Sequence, residues 1–286
     1  MKVSIEFLTR RGIDEARLTV ELLLAFALNC PRLQLYTRHD LPLSEDELNR
    51  FRSLVKRRLA NEPVQYITGE AHFMGMQFAV DQRVLIPRPE TETLVEQLIV
   101  WSKDQNVGHP LRLLDVGTGS GNIAVACAKF VPALHVVATD VNPVALDVAR
   151  QNAEQHGVTD KIECVEWDMM RDPPAPWRSS FNAVVSNPPY IPLAEWESLE
   201  PLIRDFEPQR ALTDGGDGLT FHRRLASIAL GLLDGRGPLL LEVADGQANE
   251  VRRIMKELGA DPVTVIEDLS RVPRVVSGIF SRERLQ

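Results

Sequence analysis

The chain reads as an α/β protein: an open, mostly parallel sheet with helices on both faces, preceded by a small helical bundle and a linking β-hairpin. Three observations point there. From residue 89 onward, short apolar runs such as "LRLLDV", "LHVVATD", "KIECVE", "NAVVSN", "GPLLLEV" and "VVSGIF" alternate with helical stretches, the signature of helices crossing over a parallel sheet. A glycine-rich turn, "GTGSG", follows the first of those runs. Residues 1–66 instead carry apolar positions at helical period.

Taken in order, residues 15–28 place Leu18, Leu22 and Ala25 at helical spacing and stop at "NCP", because the residue before Pro31 is biased away from helix. In "LPLSEDELNRFRSLVKRRLANEPV", Ser44 can cap a helix and Glu47 completes a capping box, ahead of a stripe made by Leu48, Phe51, Val55 and Leu59. The basic run at 50–58 reads as the solvated face of that helix. At 67–88 the period changes, and strands at 76–80 and 83–86 around Asp81-Gln82 are expected to form a hairpin linker. Pro89 suits the first turn of a helix over 91–100, with Glu90 and Glu92 favoured at its positive end. The main α/β domain would then run over 89–286.

Bulk properties exclude several classes. With 286 residues, 44% hydrophobic and 25% charged, the chain has globular composition. It has no apolar run of the roughly 18 to 20 residues a span requires and no signal-peptide core, so no membrane association and a cytoplasmic location are expected. Cys30, Cys127 and Cys164 share no metal-ligand spacing, so free thiols and no metal are expected. The net charge of −8 argues against a protein whose main task is to grip nucleic acid. Residues 1–80 are nearly neutral, with 11 Lys and Arg against 10 Asp and Glu, and the excess acid lies beyond them.

The chemistry concentrates at the expected carboxyl ends of the strands. In "LLDVGTGSGNIAVACA", Gly117, Gly119 and Gly121 permit positive φ and close approach of a ligand to the main chain at a helix start, with Thr118 and Ser120 between them. Asn122 replaces the third glycine of a dinucleotide fingerprint, and no Walker lysine follows. About 20 residues on, Asp140 ends the next strand, where a carboxylate can accept from both hydroxyls of a ribose. "EWDMM" sets Asp168 and Met169 at a third strand end, the Asp for an exocyclic amine and the Met for a ring face. Together they outline a nucleoside pocket. The constellation resembles class I S-adenosyl-L-methionine-dependent methyltransferases, a Rossmann-like fold, and that resemblance turns Asp115 and the glycines toward the methionine end of the cofactor.

"SNPPY" follows the fourth run. Pro188 and Pro189 carry no N–H, so the turn offers carbonyl oxygens without competing donors, and Asn187 adds an amide oxygen. Acceptors of this kind suit an –NH2 group: holding its two hydrogens turns the nitrogen lone pair toward a methyl donor about 3 to 3.5 Å away. The same acceptors bind more strongly as the nitrogen gains positive charge, which lowers the barrier selectively. Tyr190 would supply an apolar wall. Asn187, Pro188 and Tyr190 are thus the expected catalytic residues and, with Pro189, the substrate-binding ones. The motif is similar to that of methyltransferases acting on adenine N6, guanine N2 or the amide of glutamine, and by itself it does not separate them.

Two further stretches carry a narrower resemblance. "VLIPRPETETLVE" resembles the segment ahead of the catalytic domain in the HemK/PrmC family, the protein-(glutamine-N5) methyltransferases of peptide chain release factors. "FEPQRALTDGGDGLTFHRRL" is similar to that family's E-P-x-x-A-L-x-G-G-x-D-G-L pattern, apart from the variable pair Thr213-Asp214. A sister family acting on a ribosomal protein shares N-P-P-Y but usually reads P-R-S where this chain has "PRPET". The resemblance implies methyl transfer from S-adenosyl-L-methionine to the glutamine of the Gly-Gly-Gln loop of class I release factors. It also implies a monomer with no direct nucleic-acid partner, and Arg88 and Glu90 on the cofactor side of the site. Trp167 before Asp168 departs from the pattern, as does "LEVADGQ", whose Glu242 and Gln247 read as structural. An adenine or guanine methyltransferase, a ribosomal-protein methyltransferase and a catalytically silent binding module are the alternatives.

Overall fold

The computed structural model describes residues 1–37, 42–105 and 110–282, which form two units. The first comprises Met1–Glu70 together with Glu200–Phe206, and the second Ala71–Leu199 with Glu207–Gln286.

In the first unit, α1 (Lys2–Arg10), α2 (Ala16–Ala27), α3 (Gln34–Thr37), α4 (Glu45–Leu59) and α5 (Val64–Thr68) bury Leu8, Val20, Leu23, Leu35, Phe51 and Ile67 in one core. Helix α4 begins as its sequence dictates: the Glu47 amide donates to Ser44 Oγ at 3.3 Å while the Ser44 amide donates to the Glu47 carboxylate at 2.8 Å. Of the expected stripe, Phe51 is fully packed and Leu48, Val55 and Leu59 are half-buried. Glu21, 1% exposed, is tied to Arg17, Arg32 and the Tyr36 hydroxyl.

The second unit opens with a hairpin, though not the expected one. Strands β1 (Glu70–Phe73) and β2 (Met76–Ala79) turn at Met74-Gly75, where φ is +52° and +72°. Paired positive φ values give the turn a twist that matches the strands, and Phe73 packs edge-on to Phe78 at 6.1 Å. Asp81 instead binds the backbone and guanidinium of Arg83, so 83–86 forms no strand.

A seven-stranded sheet follows, in the order β5-β4-β3-β6-β7-β9-β8. Its elements are α6 (Glu92–Lys103), β3 (Leu111–Val116), α7 (Asn122–Phe130), β4 (Leu134–Asp140), α8 (Pro143–Gln155), β5 (Ile162–Glu166), β6 (Ala183–Ser186), α9 (Pro201–Arg204, in the segment grouped with the first unit), α10 (Thr220–Leu232), β7 (Arg236–Glu242), α11 (Ala248–Glu257), β8 (Val263–Glu267) and β9 (Pro273–Ser281). Strands β3 to β7 are mutually parallel and β9 runs against β7 and β8. Successive side chains serve opposite faces: Leu113, Val185 and Leu240 join the core with α6 and α7, while Leu114, Val184 and Leu241 join the one with α10 and α11. The strand order reverses between β3 and β6, where Val116 lies opposite Ser186. An open α/β sheet binds its ligands at such a switch point, beyond the carboxyl ends. Among the described residues, no helix is long and apolar enough to cross a membrane.

Candidate active site

Two turns leave the sheet side by side at that point. After β3 the Gly117 and Thr118 amides both donate to the Thr139 carbonyl, at 2.8 and 2.7 Å, which ties the glycine turn to the end of β4. After β6 the Ser186 hydroxyl donates to the Val116 carbonyl at 2.7 Å, tying "NPPY" to the same place. Between them lies a cavity of about 280 Å³, lined by Gly117, Gly119, Asp140, Asn142, Trp167, Asp168, Met169, Asn187, Pro189, Arg210 and Phe221, together with Arg83, Val84 and Leu85.

Of the residues singled out in the sequence, Gly117, Gly119, Asp140, Asp168, Met169, Asn187 and Pro189 line the cavity. Thr118, Ser120, Gly121, Pro188 and Tyr190 do not, and each has a visible reason. The Thr118 hydroxyl donates to Asp115 at 2.7 Å and the Ser120 hydroxyl to Asn122 at 3.2 Å, so both brace the turn from within. Gly121 starts α7 against α8, where a Cβ would sit 3.0 Å from that of Ala149. Pro188 is buried. Tyr190, instead of forming an apolar wall, points its hydroxyl at Glu242, 3.4 Å away.

Charge is arranged asymmetrically around the glycine turn. Asp140 accepts the Gly119 amide at 3.0 Å and the Asn142 amide at 2.8 Å, one on each oxygen, which leaves lone pairs on both for a ligand. Burial raises its pKa, opposed by the Asn142 and Gly119 amides and, less, by Arg210, which also lines the cavity. Asp115 is fully buried and pushed up to about 7 by desolvation, with one oxygen unpartnered among the described residues. Trp167 is held edge-on by Trp177 at 5.3 Å, and Met169 faces Gly117, so both add apolar surface to the cavity.

The "PRPET" and "EPQRAL" stretches meet in the structure. Buried Glu207 accepts the Ile86 amide at 3.2 Å and pairs with the Arg88 guanidinium. Arg88 is thereby turned to Glu207 and Glu90 is exposed, so neither lines the cavity and the expectation for both is corrected. The short helical turn Pro89–Thr91 sends Thr91 inward. Thr91 and Glu242, each 1% exposed, are the residues that the sequence reading missed or set aside. Asn187 Nδ2 donates to Thr91 Oγ1 at 3.1 Å, and the second carboxyl oxygen of Glu242 is buried without a partner among the described residues. Burial pushes Glu242 up to about 7, opposed by Thr91, Arg274 and Tyr190. The only signal for Thr91 was its place in "PRPET", where a helix-start role accounts for every residue.

The "NPPY" turn is also clamped from behind. Gln247 Nε2 donates to the Tyr190 carbonyl at 2.9 Å, Gln247 Oε1 accepts the Ala244 amide at 3.1 Å, and Ile191 bridges to Thr213. Gly218, at φ +81°, packs so tightly that a Cβ there would lie 2.4 Å from the Tyr190 carbonyl oxygen. The set of acceptors, glycines and apolar walls fits a nucleoside joined to a charged, flexible tail. Among the described residues no His, Cys, Asp and Glu cluster could hold a metal.

Comparison with known proteins agrees along the chain. The PrmC N-terminal domain family matches residues 2–69 and the methyltransferase small domain family residues 91–219. The release factor glutamine methyltransferase of Chlorobaculum tepidum is 45% identical over 97% of this chain and 95% of its own length. Its counterpart in Geobacter sulfurreducens is 40% identical over 95% of this chain and 92% of its own. The hMettl16 catalytic domain, solved with the MAT2A 3'UTR hairpin 6, shares the fold, with a TM-score of 0.54 at 19% identity over 72% of this chain and 76% of that one. The similarity to the first two relatives, nearly end to end, establishes that this chain belongs to the family of release factor glutamine methyltransferases.

Proposed function

We propose that the protein transfers the methyl group of S-adenosyl-L-methionine to the side-chain N5 of the glutamine in the Gly-Gly-Gln loop of class I release factors, acting as a monomer in the cytoplasm. Family membership supports the reaction class, and the observation that carries the mechanism is the Asn187 amide at the cavity. With Nδ2 committed to Thr91, it is Oδ1 that is left to face a substrate. When bound, the cofactor supplies an electrophilic methyl carbon on a sulfonium. Gly117 and Gly119 would admit it against the main chain, Asp140 would take its ribose, and Asp168 with Met169 and Trp167 its adenine.

Asn187 Oδ1 accepts one hydrogen of the substrate amide and holds the nitrogen lone pair toward the cavity. The neighbouring prolines bring no donor that would compete. The developing positive charge on nitrogen strengthens that hydrogen bond in the transition state. Asp140 and Asp115 stand beside the glycine turn, the first bonded to the Gly119 amide and the second to the Thr118 hydroxyl, and a cation bound there would favour the charged form of both buried carboxyls. The helical first unit would hold the protein substrate.

The test is to incubate the protein with methyl-labelled cofactor and a release factor and to map the label by mass spectrometry. Label on the glutamine of the Gly-Gly-Gln loop is expected. Label on a ribosomal protein or on nucleic acid, with none on the release factor, refutes the reading.

A further inference from the structure

The part of the cavity wall that carries Val84 and Leu85 is held by a side-chain pair standing outside the cavity. Residues 85–88 belong to no helix or strand, so no ladder of main-chain hydrogen bonds fixes them. Their sequence makes them stiff: Pro87 and Pro89 bias Ile86 and Arg88 toward extended backbone, and Arg88 has φ −103° and ψ 140°. Glu207 then anchors the stretch at two points. Its Oε2 accepts the Ile86 amide at 3.2 Å, and its Oε1 accepts from the Arg88 guanidinium. The Glu207 side chain is 0% exposed, so releasing Arg88 would leave an uncompensated charge in the interior.

The chain on each side of this pair lines the cavity. Val84 and Leu85 directly precede Ile86, and Pro208, Arg210 and Ala211 directly follow Glu207. The second group is closed on itself by the short helical turn Gln209–Ala211, in which the Ala211 amide donates to the Pro208 carbonyl at 2.9 Å, so its position follows that of Glu207. Two anchors, two residues apart, set register as well as distance: a slip of the 85–88 stretch would break one bond or the other and carry Leu85 off the wall. We infer that Arg88 and Glu207 are positioning residues that join the two walls before the cofactor binds, so that it meets a formed site. The inference rests on the reading of this cavity as the seat of S-adenosyl-L-methionine. It gives "PRPET" and "EPQRAL" one shared task across 119 residues of sequence. Where the walls part, only the fraction of molecules that keeps them joined can bind, and Kd rises by the inverse of that fraction.

The test uses the full chain and S-adenosyl-L-methionine, with Kd from calorimetry and kcat from labelled methyl transfer to the release factor. Arg88→Met removes the charge at similar length. With about 1–10% of molecules still joined, cofactor Kd is expected to rise about 10- to 100-fold, while kcat at saturating cofactor stays within about three-fold because the bound state is the same. Arg88→Lys, which keeps the charge, is expected to regain most of the affinity. Combined with Glu207→Gln, Arg88→Met should cost less than the product of the two single losses. Val263→Ala, in the edge strand β8 and outside the cavity lining, controls for general loss of stability and is expected to keep the wild-type Kd. Should Arg88→Met fail to fold by circular dichroism, amide exchange of the wild type decides. The Ile86 amide is expected to be protected before cofactor is added, and protection that appears only with cofactor would overturn the inference. So would an unchanged Kd in Arg88→Met, no recovery with Lys, multiplicative losses in the double variant, or an equal loss of affinity in Val263→Ala. A wild-type protein that binds no cofactor would remove the reading of the cavity and this inference with it, an outcome distinct from wild-type binding beside an unaffected Arg88→Met.

Discussion

Gly218 couples the stability of the second unit to the placement of its reactive turn, and Gly218→Ala separates the two effects. The residue sits at φ +81°, where a Cβ costs about 1–2 kcal/mol through contact with the following carbonyl. The added carbon would also lie 2.4 Å from the Tyr190 carbonyl oxygen and 2.8 Å from Gln247 Nε2. An ordinary carbon–oxygen contact is about a full ångström longer than that first distance, so the "NPPY" backbone or the loop at 218 must move by roughly that amount. The Gln247 hydrogen bond to Tyr190 is then lost, for about 1 kcal/mol more. The expected destabilisation is about 2–3 kcal/mol, equivalent to roughly 4 to 12 °C in Tm for a unit of this size. A 1 Å displacement of a positioned reacting group costs about 100-fold in rate. Thermal melts followed by circular dichroism, with kcat measured well below Tm, check both figures. A variant with wild-type Tm and turnover would show that the contact between Gly218 and Tyr190 does not hold the turn, and would refute the reasoning.

Three other outcomes follow from the site. Asn187→Ala is expected to cut methyl transfer by at least about 100-fold while cofactor affinity stays within a few-fold, as read by kcat and calorimetry; near-normal turnover contradicts its role. Asp140→Ala should act chiefly on cofactor Kd, since a bond to a ribose is present in ground and transition states alike, and a loss confined to kcat counts against that assignment. For Glu242, burial lifts the pKa from 4.5 to about 7, so between those values the unfolded chain has released a proton that the folded chain keeps. Wild-type stability therefore falls as pH rises through that window and levels off above it. Glu242→Gln removes that part of the dependence, on the order of 3 kcal/mol, while Asp115 imposes the same slope on both proteins. Urea denaturation at pH 5 and pH 8 reads the difference, and parallel pH profiles for the two proteins would exclude a raised Glu242.

What the sequence disclosed followed the range of each signal. Strands β3 and β4 coincide with "LRLLDV" and "LHVVATD" because fully buried parallel strands are continuous apolar runs bounded by turns. Strand β8 went unseen: it is an edge strand whose Thr264 is exposed and whose Glu267 ends it in solvent, so its composition carries no such run. The hairpin was displaced by several residues because "FMGM" hides a turn whose positive φ at Met74 is unusual for that residue type. At the site, Asp140, Asp168 and Asn187 were legible from their positions at strand ends. Thr91 and Glu242 were not, since their contacts, Thr91 with Asn187 and Glu242 with Tyr190, join residues 96 and 52 positions apart that no local pattern encodes. Thr118 and Ser120 were overread because a polar residue in a glycine turn looks free to bind until its hydroxyl is seen to be engaged.

The pairing of Val116 with Ser186 has one more implication. The glycine turn and Asn187 are anchored one residue beyond adjacent strands at the middle of the sheet, the part of such a fold that opens to solvent only when the whole unit unfolds. The distance between the glycine turn, proposed to seat the methyl donor, and Asn187, proposed to bind its acceptor, is therefore a property of the strand ladder, not of a lid or a hinge. Amide hydrogen exchange at 113–116 and 183–186 should be among the slowest in the molecule. Cofactor binding and the fold of the second unit should then disappear together on heating.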